Sequence, residues 1–223
     1  MLLFGTAVSS VDLYERIGLP SIQRIAEPGS RILTRVGYDS IQRPYNEMLD
    51  EACAEPDLEA LVLIHQDLEL TDGSLAKRIR PLLTDPRTGL IGLMGGRGVP
   101  PHRWASWEDR YGRSVGPGVD IRHTHGPQEV EFVDGMLLVL APWVVRSLCF
   151  DERLAADFHG YDLDFGFRVR AARGRVFCVD APYFHHIPVP WRDRAEFVRA
   201  GVRLAKRWDP ALRPPEWQPS FAR

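Results

Sequence analysis

The chain has 223 residues, 44% hydrophobic and 26% charged. That composition excludes intrinsic disorder and supplies a sizeable core, at the upper end of one compact domain or enough for two small ones. Lys and Arg number 28 against 30 Asp and Glu, a formal net charge of −2, which gives no support to a nucleic-acid partner.

The first ten residues, MLLFGTAVSS, have no basic segment before the apolar run, and Gly5 and Thr6 interrupt it. A buried first strand over residues 2–8 is expected rather than a secretory leader. No stretch reaches the roughly 18 apolar residues of a spanning helix. Cys53, Cys149 and Cys178 have neither metal-ligand nor disulfide-framework spacing. The expectation is a soluble, cytoplasmic protein.

Residues 31–36 read as a second strand. Between residues 44 and 54, Tyr45, Met48, Leu49 and Ala52 recur at helical spacing, with Pro44 suited to the first turn. Residues 61–64 (LVLI) are the plainest buried strand and run directly into His65, Gln66 and Asp67. A helix over 73–83 then precedes a glycine-rich strand over 89–96. Strands separated by helices predict an α/β fold, with a mostly parallel sheet and helices on both faces.

Residues 95–119 crowd Gly, Pro, Trp104, Trp107 and Tyr111 together without periodicity. They are expected to form a long loop acting as a lid or acceptor wall. Residues 130–140 (VEFVDGMLLVL) return to strand, and Pro142 opens a short helix ending near Leu148. A largely buried helix over 162–173 leads to a last strand over 175–179. An Arg-rich helix over 191–208 is expected to present its arginines to solvent, or more weakly to an anionic membrane surface. The domain spans 1–208, followed by a proline-rich tail over 209–223.

Three places carry residues suited to chemistry. His65-Gln66-Asp67 stands at a strand's carboxyl end, where open α/β sheets bind ligands. Asp67 offers an oxygen ligand for Mg²⁺ or Mn²⁺, and His65 a nitrogen better suited to Mn²⁺; a capping Asp and a core histidine are the plainer alternative. Asp162 opens the buried helix either as an N-cap or as a general base, while Asp164 and Arg168 at i, i+4 are placed for an ion pair. His185 and His186 follow the last strand, and in an extended segment they face opposite ways.

The order of HQD, VDGMLLVL, FDERL, GYDLDFGFRVRAARG and a terminal His pair resembles family 2 glycosyltransferases of the GT-A fold. The likeness is strongest to the small bacterial group related to the streptomycin-cluster StrF proteins. It implies a GT-A-like domain that transfers a sugar, with inversion, from a UDP- or GDP-linked donor to a saccharide, lipid-linked or small-molecule hydroxyl. A divalent Mn²⁺ or Mg²⁺ is implied as cofactor. By the same likeness Asp67 and His185 hold the metal and Asp162 is the base. His65, Gln66, Arg43 and Asn46 lie on the nucleotide-sugar side, and Asp134, Gly135 and Trp104 on the acceptor side. His65 stands where the family has the first Asp of its D-x-D, and Tyr161 where it has a Glu before the base. A nucleotide-sugar-binding domain without turnover and a metal-dependent hydrolase are the alternatives.

Overall fold

The computed structural model describes residues 1–98, 110–153, 158–186 and 194–209. Strand β1 (Leu2–Val8) leads through α1 (Val11–Leu13), a π-helical stretch (Tyr14–Gly18) and α2 (Leu19–Ile25) to β2 (Arg31–Val36). Next come α3 (Gln42–Cys53), β3 (Ala60–Ile64), β4 (Leu68–Leu70), α4 (Leu75–Leu83), β5 (Thr88–Gly92) and β6 (Met94–Gly96). A hairpin of β7 (Arg110–Gly116) and β8 (Val119–Arg122) is followed by the short β9 (Gln128–Val130) and β10 (Phe132–Val133). Then follow β11 (Leu137–Leu140), α5 (Pro142–Ser147), α6 (Tyr161–Ala171), β12 (Arg175–Cys178), β13 (Tyr183–His185) and α7 (Arg194–Trp208).

A seven-stranded sheet in the order β2-β1-β3-β11-β5-β12-β9 forms the middle layer. β1 pairs parallel with both β2 and β3, and β12 parallel with β5, whereas β11 and β9 run antiparallel to their neighbours. The expected mostly parallel sheet is therefore observed. The apolar runs explain it: β3, β5 and β11 are buried at every position, as strands covered on both faces must be. The two-residue period of a strand sends alternate side chains to opposite faces. Leu61, Leu63, Leu90, Leu138 and Leu140 enter one core with α3, α5 and α6. Val62, Ile64, Ile91, Leu137 and Val139 enter the other, against α2 and α4. On α3 the expected stripe of Tyr45, Met48, Leu49 and Ala52 is buried, and each of its larger side chains is worth about 1.5–3 kcal/mol.

Two expected strands are broken. Residues 89–96 divide at Leu93 into β5 of the main sheet and β6 of a second, four-stranded sheet ordered β10-β6-β7-β8. Residues 130–140 divide at Asp134-Gly135, where the Asp134 carboxylate accepts the Met136 N–H at 3.0 Å and turns the chain. Continuous hydrophobicity could not reveal either break, because both halves are buried. The expected loop over 95–119 is also corrected: Arg110–Gly116 is a strand paired with both β6 and β8. Every residue of β8 is exposed, so no apolar alternation marks the hairpin. Trp104 and Trp107, on which the expectation of a lid or acceptor wall rests, lie outside the described residues.

The last helix also departs from expectation. Arg207 does not join a solvated face; its Nη1 reaches Asp151 at 2.6 Å and its Nε lies 3.2 Å from Asp164. Trp208 Nε1 donates to Asp164 Oδ1 at 2.7 Å, and Arg168 bridges Asp164 (2.6 Å) and Asp151 (3.0 Å). This buried polar cluster fixes α7 on α6 and contains the expected Asp164–Arg168 pair. Among the described residues no helix is long and apolar enough to cross a membrane.

Candidate active site

Because β11 is antiparallel to β3, the turn that precedes it lies at the carboxyl end of β3, and His65 N–H donates to Met136 O at 3.0 Å. This edge of the sheet opens into a cleft of about 180 Å³ lined by Ser9, Tyr38, Ser40, His65, Gln66 and Asp67 among others. Gln66 ties the end of β3 to the end of β1. Its Oε1 accepts the Ser9 and Ser10 N–H groups at 3.0 and 2.9 Å, and its Nε2 donates to Ser9 Oγ at 2.7 Å.

His185 arrives from the far end of the chain on a two-stranded ribbon. β13 pairs antiparallel with β4, placing His185 opposite Leu68, and His186 N–H donates to Asp67 O at 3.0 Å. One ligating atom from each of His65, Asp67 and His185 lies within 4.8 Å of the others. His186, as an extended backbone requires, faces the other way, with Nε2 2.8 Å from Glu69 Oε2. Burial resists ionisation of Asp67, but the adjacent His185 and then His65 hold its carboxyl below the usual range. Burial works against protonation of His185 too, and is outweighed by Asp67 and Asp134, so its affinity for a proton is raised. Burial first, and His185 second, push His65 down.

The donor set fits a divalent cation. His185 Nε2 is buried and makes no hydrogen bond of good geometry among the described residues, although it stands 3.3 Å from Asp67 Oδ2. A cation held between Asp67, His185 and His65 would take the place of that histidine–carboxylate contact. Two imidazoles with one carboxylate suit Mn²⁺ better than Mg²⁺, which prefers oxygen ligands in near-octahedral array.

Asp162 stands on the neighbouring wall. Gly160, at φ 78°, makes the left-handed step into α6 that a side chain would resist, so Tyr161 and Asp162 enter the first turn. Asp162 Oδ2 accepts the Gly135 N–H and Oδ1 the Leu163 N–H, both at 2.9 Å. Only 7% exposed, its carboxyl is pushed up to about 7, first by burial and then by the nearby Asp134 charge. Asp164, on the opposite side of the helix, belongs to the Arg168 and Trp208 cluster. Tyr161 Oη lies 3.2 Å from Gly135 O and 2.8 Å from His65 Nε2. A continuous path of hydrogen bonds thus runs from Asp162 through Gly135 and Tyr161 to His65.

The fold therefore gathers Asp67, His65 and His185 into one group and Asp162, Asp134 and Gly135 into an adjoining one, with Gln66 in the cleft wall. It does not bring the remaining two described residues into the cleft lining. Arg43 lies on α3, 3.6 Å from Glu47 and over the Tyr38 ring at 5.8 Å. Asn46 is committed to the segment after α5: it accepts from Phe150 N–H at 2.8 Å and donates to Phe150 O at 3.0 Å and Glu152 Oε1 at 2.8 Å. Trp104 is outside the described residues. Sequence reasoning overlooked Ser9, Tyr38 and Ser40 as cleft residues. The available signal was position: Ser9 directly follows the buried β1, and Tyr38 and Ser40 lie within four residues of the end of β2.

Residues 32–199 match the model of a glycosyltransferase-like family. The chain belongs to this family. As a family member it is 33% identical over 190 residues to the streptomycin biosynthesis protein StrF of Streptomyces griseus, a match spanning 83% of this chain and 66% of that relative's length. The glycosyltransferase-like chain is also similar in structure to GalNAc-T7, whose crystal structure was determined with UDP, GalNAc and Mn²⁺. The TM-score is 0.59 at 9% identity, over 85% of this chain and 43% of that one. At so low an identity the likeness concerns the fold, which is of the GT-A type.

Proposed function

We propose that the protein is an inverting glycosyltransferase, moving a sugar from a nucleotide-diphosphate donor to an acceptor hydroxyl with the help of a divalent cation. The observation that carries this reading is the joining of a cation donor set (His65, Asp67, His185) to a buried aspartate with a near-neutral proton affinity, at the carboxyl edge of the sheet. The reaction needs both: a counter-charge for the leaving group and a base for a weak nucleophile. A cation held by Asp67, His185 and His65 would supply positive charge to the departing nucleoside diphosphate. The 180 Å³ cleft beside Ser9, Tyr38 and Gln66 is the proposed nucleoside seat. Tyr38 offers an aromatic face for stacking.

Asp162 takes the proton of the acceptor hydroxyl as the new glycosidic bond forms, an effect worth about 10² to 10⁴ in rate. With a pKa of about 7, it is ionised often enough at neutral pH and basic enough to accept. Gly135 N–H keeps one carboxylate oxygen oriented throughout. One base opposite the leaving group suffices for inversion, with no covalent intermediate. The UDP and Mn²⁺ named with GalNAc-T7 support a UDP-linked donor and Mn²⁺. The acceptor is a saccharide, a small molecule or a lipid-linked alcohol.

The test is a panel of UDP- and GDP-sugars with Mn²⁺ and mixed acceptors, scored for nucleoside diphosphate release and for product anomer by NMR. Glycoside of inverted configuration is expected. Free sugar as the sole product would mark a hydrolase, and donor binding without turnover an inactive scaffold; either overturns the proposal.

A further inference from the structure

We propose that Gly116 is a positioning residue of the cation centre: lacking a side chain, it lets the β7–β8 hairpin close on the peptide unit that joins His185 to His186, and so braces His185 beside Asp67. This rests on the reading of His65, Asp67 and His185 as a cation centre. The peptide unit is held on two sides. Its N–H, from His186, donates to Asp67 O at 3.0 Å. Its carbonyl, from His185, faces Gly116 so closely that a β-carbon built there would stand 2.9 Å from the oxygen, inside ordinary van der Waals contact. The unit is trans, a rigid plane whose C=O and N–H point opposite ways. A push on the carbonyl is therefore felt at the hydrogen bond to Asp67. Two cation ligands distant in sequence share one brace.

The hairpin is itself fixed to the ribbon that carries His185. Tyr183, buried two residues before His185, donates its hydroxyl to Arg113 O of β7, and Arg122 of β8 pairs with Asp180 just ahead of the ribbon. Gly116 is thus not free to drift away from the carbonyl. Its backbone does not call for glycine: its φ lies outside the left-handed region, where alanine ordinarily favours folding by narrowing the unfolded ensemble. Apart from its chain neighbours, His185 O is the single heavy atom of the described residues within 4 Å of an added β-carbon. What the absent side chain avoids is that one contact. Gly118, at the tip of the same hairpin, is the reverse case: its φ is 74°, and no described atom lies within 4 Å of a β-carbon placed on it.

The experiment compares the 223-residue protein with Gly116→Ala and Gly118→Ala. Mn²⁺ titration followed by EPR should show affinity at least about tenfold weaker in Gly116→Ala, the scale on which groups supporting metal ligands act. Gly118→Ala strains the turn instead, so its melting temperature should fall below that of the other two proteins while its Mn²⁺ affinity stays within about twofold of wild type. Amide hydrogen exchange without metal, donor or acceptor reads the brace directly. The His186 N–H should be protected in the wild type and should exchange at least about tenfold faster in Gly116→Ala. An unprotected His186 amide in the wild type, a wild-type Mn²⁺ affinity in Gly116→Ala, or equal weakening by the two alanines overturns the inference. A wild type that binds no Mn²⁺ overturns the cation-centre reading and with it the purpose assigned to the brace, even where His186 exchange shows the brace itself in place.

Discussion

The backbone N–H of Gly135 donates to Asp162 Oδ2 across 2.9 Å, so the turn that breaks a long apolar run is also the turn that holds the proposed base. The antiparallel course of β11 makes this possible. It delivers the turn to the same edge at which β1 and β3 end, beside His65 and Asp67. The substitution Gly135→Ala tests that arrangement. An added methyl meets the Tyr161 hydroxyl, and the enclosed ring has little room to retreat. We expect a loss of about 1–3 kcal/mol in urea unfolding, with turnover falling further than stability alone explains.

Asp162→Asn should lower turnover by about 10² to 10⁴, measured under saturating donor. The wild-type rate should fall as pH drops through about 7, because the base must be ionised, and should level off above it. The variant's residual rate should lack this limb.

Stability should move the opposite way. Asp162 titrates higher in the folded protein than an unperturbed aspartate, which titrates at about 3.9. The protonated carboxyl therefore favours folding fully at pH below about 4, and that contribution is lost as pH rises through about 7. The asparagine side chain stays neutral. It offers one acceptor for the two backbone N–H groups, so what calorimetric melting should show is the pH trend: the stability of Asp162→Asn relative to wild type rises as pH climbs from about 4 to 8.

The cation site makes a separable prediction. Calorimetry should show Mn²⁺ binding more tightly than Mg²⁺, and Asp67→Ala or His185→Ala should each weaken Mn²⁺ by at least about tenfold. His186→Ala should change Mn²⁺ affinity by less than about twofold, since its imidazole is turned to Glu69 and exposed partners contribute little. Equal effects at the two histidines would contradict the ribbon geometry.

The charge cluster under α7 should dominate local stability. Arg168 is 2% exposed and serves both Asp164 and Asp151. Replacing it with methionine leaves Arg207 as the remaining cation that Asp151 and Asp164 share, for a loss of at most about 3–5 kcal/mol in denaturant unfolding.

How much of this the sequence could reveal depended on the length and purity of each signal. The apolar runs at residues 2–8 and 61–64 marked the central strands, because burial on both faces demands unbroken hydrophobicity. The spacing of Tyr45, Met48, Leu49 and Ala52 marked α3 for the same kind of reason. Short elements left no such trace. β4 and β13 are three residues each, below the length at which periodicity speaks, yet their pairing is what carries His185 to Asp67. The order of motifs suggested that these residues meet, but the ribbon that joins them is a tertiary fact. Tyr161 was visible only as an exception, a tyrosine where the resembling family has glutamate. Its partner, His65, is 96 positions away, and no local pattern links the two.

On the proposed function, one crevice holds both the cation for the leaving group and the base for the nucleophile. The most direct measurement is UDP binding by calorimetry, with and without Mn²⁺, alongside UDP-sugar turnover, in the wild type, Asp67→Ala and Asp162→Asn. Mn²⁺ should tighten UDP binding in the wild type and in Asp162→Asn but not in Asp67→Ala, while both variants lose turnover. A wild-type UDP affinity indifferent to Mn²⁺, or an Asp162→Asn protein that turns over at the wild-type rate, would contradict it.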